Sequence, residues 1–427
     1  MDAVGEEGRL KSRLTKSYRK YFSRLRKHLP PSRPLRLQQG PRPSILFLVL
    51  ESWRADALTA EKMPRLFSWS KKNAIYFSQH EAGTHSSEAG MFSLLYGRNN
   101  LTFHETLDSK QRAPLLSWLT EAGYQTAYYT GHPQVWLRRE EFLNPNAVDI
   151  WSHDDKGTWP EWDKRALSAA VDGLQEAERP LFALVFLMST HFEYQYPEKY
   201  GRHQPVATSK MWKTDVRALG EEDREPHLNR YKNTLGFLDD LVVDTLNNVP
   251  KDTIILITGD HGESFFEGGL YGHGYAFNDA VLKVPLIARF PKSPAVPGRY
   301  HGPSTVEKKT LHQDVLGWLM EYLNAGTLPI PGFQGIADWT NISDQRAVLS
   351  TYATPRKGTT RALFTANLSG HPEPLRLRLS LNHQDPALAL FGFDDQYGNF
   401  IPTPSLSPEQ LEMLMLQFED TLRQGSL

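Results

Sequence analysis

Four short polar stretches of this sequence, three of them at the end of an apolar run, together hold the residue types of a metal-assisted reaction centre. The run ILFLVL is followed by Glu51, and the run TIILITG is followed by Asp260 and His261. Two carboxylates and one imidazole suit a divalent cation, and Thr84, in the stretch GTHSSEAGMFS, offers a hydroxyl as a fourth ligand. Because a metal ion lowers the pKa of a hydroxyl that it binds, this pattern predicts that Thr84 is a nucleophile.

Two further histidines are candidates to face the reacting group. His191 follows LFALVFLMST, and His273 comes twelve residues after His261 in GDHGESFFEGGLYGHG. An imidazole that faces the reacting group can carry a proton to or from it. Each residue alone has a structural explanation, since a single carboxylate or histidine at a strand end is commonly a cap or a satisfied polar group. The co-occurrence of these stretches at the carboxyl ends of strands, where open α/β sheets bind ligands, favours a functional site.

The elements that must position these residues follow from hydrophobic periodicity. Short apolar runs predict buried strands over residues 45–50, 126–129, 181–188, 253–258 and 285–290. Amphipathic segments between them predict helices over residues 115–122, 164–177 and 231–247. This alternation predicts a doubly wound α/β fold with a mostly parallel central sheet and helices on both faces.

Composition divides the chain into three parts. Residues 1–43 carry 12 Lys and Arg against three acidic residues, a local net charge of +9, and read as a basic amphipathic helix followed by a Pro-rich linker. Residues 44–340 are predicted to form the catalytic domain. Residues 341–427 are predicted to form a smaller antiparallel sheet, in which LRLRLSL alternates, and a terminal helix.

The basic helix of residues 9–29 has three interpretations. Its apolar stripe could lie among acyl chains while its cations contact an anionic membrane surface, the stripe could pack on its own domain, or the segment could be a solvated linker. No apolar run approaches the roughly 18–20 residues of a membrane span, and the N-terminus lacks the apolar core of a signal peptide. The absence of cysteine excludes disulfides, thiolate ligands and cysteine nucleophiles. There is no nucleic-acid-binding signature.

Together these stretches resemble the alkaline phosphatase superfamily, specifically its sulfatase-like branch of phosphoethanolamine transferases and lipoteichoic acid synthases. GDHGESFFEGGLYGHG is similar to the transferase motif, in which two histidines lie twelve residues apart, and LESWRAD, with Arg54 and Asp56, is similar to GETxRAD. The family's nucleophilic threonine lies seven residues before MFS, which selects Thr84. The resemblance covers residues 44 to about 320.

The resemblance implies one divalent metal ion, with zinc or manganese favoured by the donor types. The implied ligands are Glu51, Thr84, Asp260 and His261. In the family the threonine carries the transferred group covalently, so Thr84 is also implied as the nucleophile.

On the substrate side the resemblance implies His191, in STHFEYQYP, and His273. The stretch WLRREEF, with Trp136 and Arg138, is similar to the Trp-x-Arg of lipoteichoic acid synthases, in which the arginine binds the substrate phosphate. Both residues are therefore predicted to bind substrate. LHQDVLGWL resembles the sulfatase segment HxDxxPTL, and we interpret His312 there as structural.

The predicted function is transfer of a phospho-alcohol group, such as phosphoethanolamine or phosphoglycerol, from a phospholipid donor to an envelope glycan or lipid acceptor. The resemblance also implies a membrane-associated protein at the extracytoplasmic face of a bacterial inner membrane. A single-metal phosphodiesterase hydrolase and a non-catalytic lipid-binding regulatory homologue stay open as alternatives. A sulfatase with an oxidised nucleophile is disfavoured because C/S-x-P-x-R is absent around Thr84, and a two-metal enzyme because STHFEYQYP has no aspartate.

Overall fold

Two sheets and their flanking helices organise the chain. The computed structural model describes residues 3–27, 42–110, 112–131, 143, 147–153, 156–208, 210, 213–215, 218–275, 277–323, 333, 335–353, 359–382 and 387–423. The helices are α1 Ala3–Lys27, α2 Pro64–Asn73, α3 Ser87–Tyr96, α4 Phe103–Asp108, α5 Pro114–Glu121, α6 Trp159–Glu176, α7 Arg224–Leu246, α8 Asp279–Leu282, α9 His312–Leu323 and α10 Pro408–Arg423.

The strands form one large sheet, one smaller sheet and a short hairpin. In chain order they are β1 Ile45–Leu50, β2 Ile75–Glu81, β3 Gln125–Thr130, β4 Ile150–His153, β5 Leu181–Leu187, β6 Ile254–Gly259, β7 Ser264–Phe265, β8 Tyr271–Gly272, β9 Leu286–Arg289, β10 Ser304–Leu311, β11 Val348–Ala353, β12 Thr359–Ala366, β13 Leu375–Asn382, β14 Ala387–Asp394 and β15 Phe400–Ile401.

The large sheet has eight strands in the order β10-β2-β9-β6-β1-β5-β3-β4. All neighbours pair in parallel except β9, which runs antiparallel to both β2 and β6. Strands β6, β1 and β5 lie side by side in the middle of the sheet, and every one of their residues is buried. Because a parallel sheet is covered on both faces, its central strands are continuous apolar runs, and this confirms the predicted doubly wound fold.

Alternate residues of β1 enter two separate apolar layers. Phe47 belongs to the layer that contains α3, α5 and α9, whereas Leu48 belongs to the layer that contains α6 and α7. The sequence analysis did not predict β2 and β10. Strand β10, STVEKKTL, lies at the edge of the sheet and keeps polar, partly exposed side chains, so it lacks the apolar run by which a central strand is recognised.

The smaller sheet is antiparallel, with five strands in the order β11-β12-β13-β14-β15. This confirms the predicted C-terminal sheet. In β13 the leucines of LRLRLSL point to an apolar cluster that also contains Phe364 and, from α10, Leu414 and Phe418. Helix α10 begins at Pro408, and the hydroxyl of Ser407 accepts a hydrogen bond from the Gln410 backbone N–H at 3.2 Å.

Helix α1 packs on this C-terminal sheet. Leu10, Leu14, Tyr18 and Phe22 are buried in the same cluster as the leucines of β13, and the Ser17 hydroxyl donates to Glu419 of α10 at 2.8 Å. Protein therefore covers the apolar stripe of α1 from Leu10 to Phe22, as the interpretation in which the helix packs on its own domain predicts. The predicted boundary at residue 43 divides the sequence between α1 and the C-terminal sheet, although the two pack together in the fold.

The opposite face of α1 is cationic and exposed at Arg9, Lys11, Lys16, Arg19 and Lys20. A contact with an anionic membrane surface, as predicted, would use these charges. Among the described residues, no helix is both long and apolar enough to cross a bilayer.

We expect Leu14→Ala to lower the free energy of unfolding by about 2–5 kcal/mol, because it removes a fully buried side chain from the interface between α1 and the C-terminal sheet. Lys16→Ala, on the exposed face of the same helix, should change it by no more than about 0.5 kcal/mol. Urea denaturation measures both. Equal small effects would show that α1 does not pack on the sheet.

Candidate active site

The residues predicted to bind a metal ion lie together at the carboxyl ends of two central strands of the large sheet. Glu51 directly follows β1, and Asp260 and His261 directly follow β6, the parallel neighbour of β1. All three side chains have no exposure, and ligand-type atoms of the three lie within 4.8 Å of one another. The structure therefore brings together the two carboxylates and the imidazole that the sequence assigns to a metal ion.

Hydrogen bonds to the backbone orient this cluster. The Asp260 Oδ1 accepts from the backbone N–H of Ser52 and of His261, each at 2.9 Å, while Oδ2 lies 3.6 Å from His261 Nε2. The His261 Nδ1–H donates to the Gly262 carbonyl at 2.7 Å, so the Nε2 atom points to Glu51 Oε1 at 3.3 Å. Fixing one imidazole nitrogen by a backbone carbonyl is how proteins orient a metal-ligating histidine.

The electrostatics of the cluster favour a cation. Burial disfavours a charged imidazole, yet the charge of Asp260 and the hydrogen bond to Glu51 outweigh it and raise the pKa of His261 to about 9. A proton on Nε2 would thus occupy the place between two buried carboxylates that a metal ion would take. The donor set of two carboxylates and one imidazole fits such an ion.

Thr84 lies in the loop between β2 and α3 and is fully buried. Two backbone hydrogen bonds hold this loop: Thr351 N–H of β11 donates to Gly83 O at 2.9 Å, and Gly274 N–H donates to His85 O at 3.0 Å. The Thr84 hydroxyl has no hydrogen-bond partner among the described residues. A buried hydroxyl without a partner costs about 1–3 kcal/mol, and a ligand that binds to this oxygen would remove that cost.

Ser87, the first residue of α3, is a site residue that the sequence analysis missed. Its hydroxyl donates to Glu51 Oε1 at 3.0 Å and lies 3.1 Å from His261 Nε2. It therefore links the loop of Thr84 to the buried cluster. The run of small polar residues that follows Thr84 was the available signal.

His191 and His273 lie beside Glu51. Their ring centroids are 5.5 Å apart, and ligand-type atoms of both lie within 4.8 Å of one in Glu51. The His191 Nδ1–H donates to the Phe192 carbonyl at 2.7 Å, and burial lowers the pKa of His191. The side chain of His273 is 23% exposed, so solvent reaches the site at this residue.

Glu263 is a second residue that the sequence analysis missed. Its Oε1 accepts from His273 Nδ1 at 3.1 Å, and its Oε2 accepts from the hydroxyl of Tyr194 at 3.1 Å. That hydroxyl in turn accepts from Tyr271 at 2.9 Å. A buried carboxylate fixed in this way sets the orientation of the His273 ring and the tautomer with its proton on Nδ1. Glu263 stands two residues after His261 in GDHGES, so the motif contained the signal.

Arg54, from the stretch WRAD, connects the loops that carry Glu51 and Asp260. It binds the Asp56 carboxylate through two nitrogens at 2.8 and 3.0 Å, Glu267 at 2.8 Å and the Glu263 carbonyl at 2.9 Å. These contacts join the loop after β1 to the loop after β6. The role of Arg54 is therefore to support the site.

Asp163 of α6 fixes the backbone just before His191. Its two carboxylate oxygens accept from the backbone N–H groups of Met188 and Ser189 at 2.8 and 2.9 Å. Burial raises the pKa of Asp163 to about 6, against the opposing effect of these hydrogen bonds. Nothing in the sequence marked this residue, because the contact joins a helix to the end of β5. Trp136 and Arg138 lie outside the described residues, so their substrate-binding role stays a prediction.

The family model described as Sulfatase matches residues 43–325, more than half of the chain. This chain belongs to the sulfatase family. The residues that this match covers include every member of the site described above, and the resemblance to the sulfatase-like branch of the alkaline phosphatase superfamily is confirmed.

Relatives of this sulfatase-family protein include both membrane proteins and enzymes. The inner membrane protein YejM of Salmonella typhi is 21% identical over 344 residues, which cover 77% of this chain and 50% of YejM. The C-terminal periplasmic domain of Escherichia coli EptC in complex with zinc aligns with a TM-score of 0.58 and 16% identity, covering 86% of this chain and 99% of that domain. The phosphonate monoester hydrolase of Agrobacterium radiobacter aligns with a TM-score of 0.56 and 18% identity, covering 82% and 88%.

These structural similarities establish the fold that the sulfatase-family protein shares with transferases and hydrolases alike. The chain spans 40–50% of the length of curated relatives that it matches.

Gly90 of α3 lies close to the carbonyl of Asp260, so Gly90→Ala tests the site. A β-carbon at Gly90 would overlap the carbonyl oxygen of Asp260, so we expect a loss of about 1–3 kcal/mol in the free energy of unfolding, together with weaker Zn²⁺ binding. Gly236→Ala, also within a helix, meets only an ordinary contact with Tyr200 at 3.9 Å and should be neutral or slightly stabilising. Thermal melts and Zn²⁺ titration of both variants measure this. A Gly90→Ala protein that binds Zn²⁺ like the wild type would contradict the packing.

Proposed function

We propose that this protein transfers a phospho-alcohol group, such as phosphoethanolamine or phosphoglycerol, from a phospholipid to an envelope glycan or lipid acceptor through a covalent intermediate on Thr84. The observation that carries the proposal is the placement of Thr84. Its hydroxyl is fully buried without a partner among the described residues, in a loop whose Ser87 contacts both Glu51 and His261.

In this proposal Glu51, Thr84, Asp260 and His261 would hold one divalent ion, zinc or manganese. The zinc complex of the EptC domain supports zinc in the same fold. When bound, the ion supplies a lowered pKa for the threonine hydroxyl and neutralises charge on the phosphoryl oxygens.

The first half-reaction forms the intermediate. The oxygen of Thr84, whose proton has passed to solvent, attacks the phosphorus of the lipid phosphodiester. The bond from phosphorus to the diacylglycerol oxygen breaks, and that oxygen takes a proton from the Nε2 of His273. Glu263 orients His273 for this task, because its carboxylate accepts the Nδ1–H and leaves Nε2 on the side of the ring away from Glu263.

The second half-reaction resolves the intermediate. The Nδ1–H of His191 is held by the Phe192 carbonyl, so Nε2 is the basic nitrogen of the ring and would take the proton of an acceptor hydroxyl. The acceptor oxygen bonds to phosphorus, and the bond from phosphorus to the Thr84 oxygen breaks. His191 then loses its proton to solvent and His273 regains one. The lowered pKa of His191 fits this role as a base.

We also infer that the reaction takes place at the extracytoplasmic face of an inner membrane. YejM is described as an inner membrane protein and the EptC domain as periplasmic, which supports this location. The exposed cations of α1 would contact anionic headgroups there, each contributing about 1 kcal/mol close to the surface.

Incubation of Zn²⁺-loaded protein with phosphatidylethanolamine or phosphatidylglycerol should add the mass of the transferred group to Thr84, because hydrolysis or transfer both pass through this residue. Thr84→Ala should abolish the adduct and slow turnover by at least about 10³-fold. Intact-mass and tandem mass spectrometry locate the adduct.

Ser86→Ala is the matched control, since it removes a neighbouring buried hydroxyl and should keep the adduct. An adduct elsewhere, or turnover without Thr84, would refute the intermediate. An adduct that releases only free phospho-alcohol in the presence of envelope lipids and glycans would identify a hydrolase, the alternative that the phosphonate monoester hydrolase similarity supports.

Charge reversal on α1 tests the membrane contact. Lys11, Lys16 and Arg19 lie on one face, and changing all three to Glu should weaken binding to phosphatidylglycerol vesicles by at least about 3 kcal/mol, roughly a hundredfold. The same change at three exposed lysines elsewhere, Lys72, Lys110 and Lys251, alters the net charge equally and should have much less effect. Vesicle co-sedimentation at two salt concentrations measures this. Equal effects of both triple variants would contradict a defined contact.

A further inference from the structure

A buried chain of hydrogen bonds ends on the backbone of Asp260. It begins at Thr310 of β10, whose hydroxyl lies 2.9 Å from His80 Nδ1 of β2. The His80 Nε2 lies 2.9 Å from His312 Nδ1, and His312 Nε2 lies 3.3 Å from the carbonyl oxygen of Asp260. The three side chains are almost fully buried, and none of them is among the proposed metal ligands.

The carbonyl at its end fixes the direction of this chain. A carbonyl oxygen only accepts, so His312 Nε2 carries a proton and donates it. In a neutral His312 the Nδ1 atom then accepts from His80 Nε2–H, which leaves His80 Nδ1 to accept from the hydroxyl of Thr310. Burial, with the charge of the nearby Arg346, holds the pKa of His80 well below its ordinary value. A neutral His80 in this chain therefore shares the Nε2–H tautomer with His312.

The end of the chain is the peptide that joins two proposed metal ligands. The carbonyl of Asp260 and the N–H of His261 belong to the same peptide group, and this N–H donates to Asp260 Oδ1 at 2.9 Å. Any rotation of the peptide would therefore move the Asp260 carboxylate and the start of the His261 side chain together. On its other side the Asp260 carbonyl packs against Gly90 of α3.

We propose that His80 and His312 are positioning residues that fix the peptide between Asp260 and His261, and so set the geometry of the metal site. The inference rests on the proposed function, because it assigns the pair to a metal that those two residues would bind. A purely structural pair would stabilise the fold without affecting metal affinity. Orientation of ligands by outer hydrogen bonds typically changes metal affinity by about 10- to 100-fold.

The tautomers test the chain without any metal. Long-range ¹H–¹⁵N NMR of metal-free protein at pH 7, assigned with His80→Gln and His312→Gln, should show both imidazoles as Nε2–H tautomers. A Nδ1–H tautomer at either residue would overturn the proposal, because the chain could not then end as a donor to Asp260.

Zn²⁺ affinity tests the consequence. Competition with a chelating indicator should give a dissociation constant raised at least about tenfold in His80→Leu, which removes the donor, and restored towards wild type in His80→Gln, whose amide N–H reaches a similar position. Leu238→Ala, in the buried face of α7, is the destabilised control and should bind Zn²⁺ like the wild type. Thermal melts of the metal-free proteins show how far each variant is destabilised.

The outcomes separate the two proposals. If His80→Leu melts earlier but binds Zn²⁺ like the control, the pair is structural and the inference is wrong while the proposed function stands. If wild-type protein binds no Zn²⁺ or Mn²⁺, the proposed metal site is wrong and the inference falls with it.

Discussion

Two carboxylates, Glu51 and Asp260, lie side by side in the interior of this protein with a single imidazole between them. Removing such charges from water costs several kcal/mol each unless a cation or strong hydrogen bonds compensate. The pKa of His261, raised to about 9 in spite of burial, shows how strongly this place favours positive charge. Much of the surrounding structure serves to build and hold this concentration of negative charge.

Four parts of the fold hold these residues in place. Parallel strands β1 and β6 bring the carboxylates to one edge, where Arg54 joins the loops that follow them. Helix α3 approaches through Gly90, and β11 of the smaller sheet holds the loop of Thr84 by a backbone hydrogen bond. The C-terminal sheet therefore helps to position the loop of Thr84, and α1 packs on this sheet and stabilises it. His191 and His273 lie next to Glu51, where a carbonyl orients the first ring and the Glu263 carboxylate orients the second.

The sequence allowed the central strands and the buried ligands to be predicted, because both depend on local pattern: apolar runs mark β1, β5 and β6, and polar residues at their ends fall at one edge of a parallel sheet. It did not allow the packing of α1 to be decided, since a stripe such as Leu14 and Tyr18 is equally suited to lipid or to protein, and the covering sheet lies more than 300 residues further along the chain. Glu263 and Asp163 were missed for a related reason, because their partners, His273 and the end of β5, are neighbours only in the fold. Strand β10 was missed because an edge strand needs no apolar run.

The central claim is that one metal ion lies between Glu51, Thr84, Asp260 and His261. Anomalous diffraction at the zinc edge, from crystals of this protein grown with Zn²⁺, tests it most directly. The account predicts one strong peak about 2.0–2.2 Å from oxygen or nitrogen atoms of these four residues. Glu51 also shares a cluster with His191 and His273, so a principal peak between those three residues would contradict the assignment of ligands. The absence of any peak, in protein with Zn²⁺ in excess, would contradict the metal site itself.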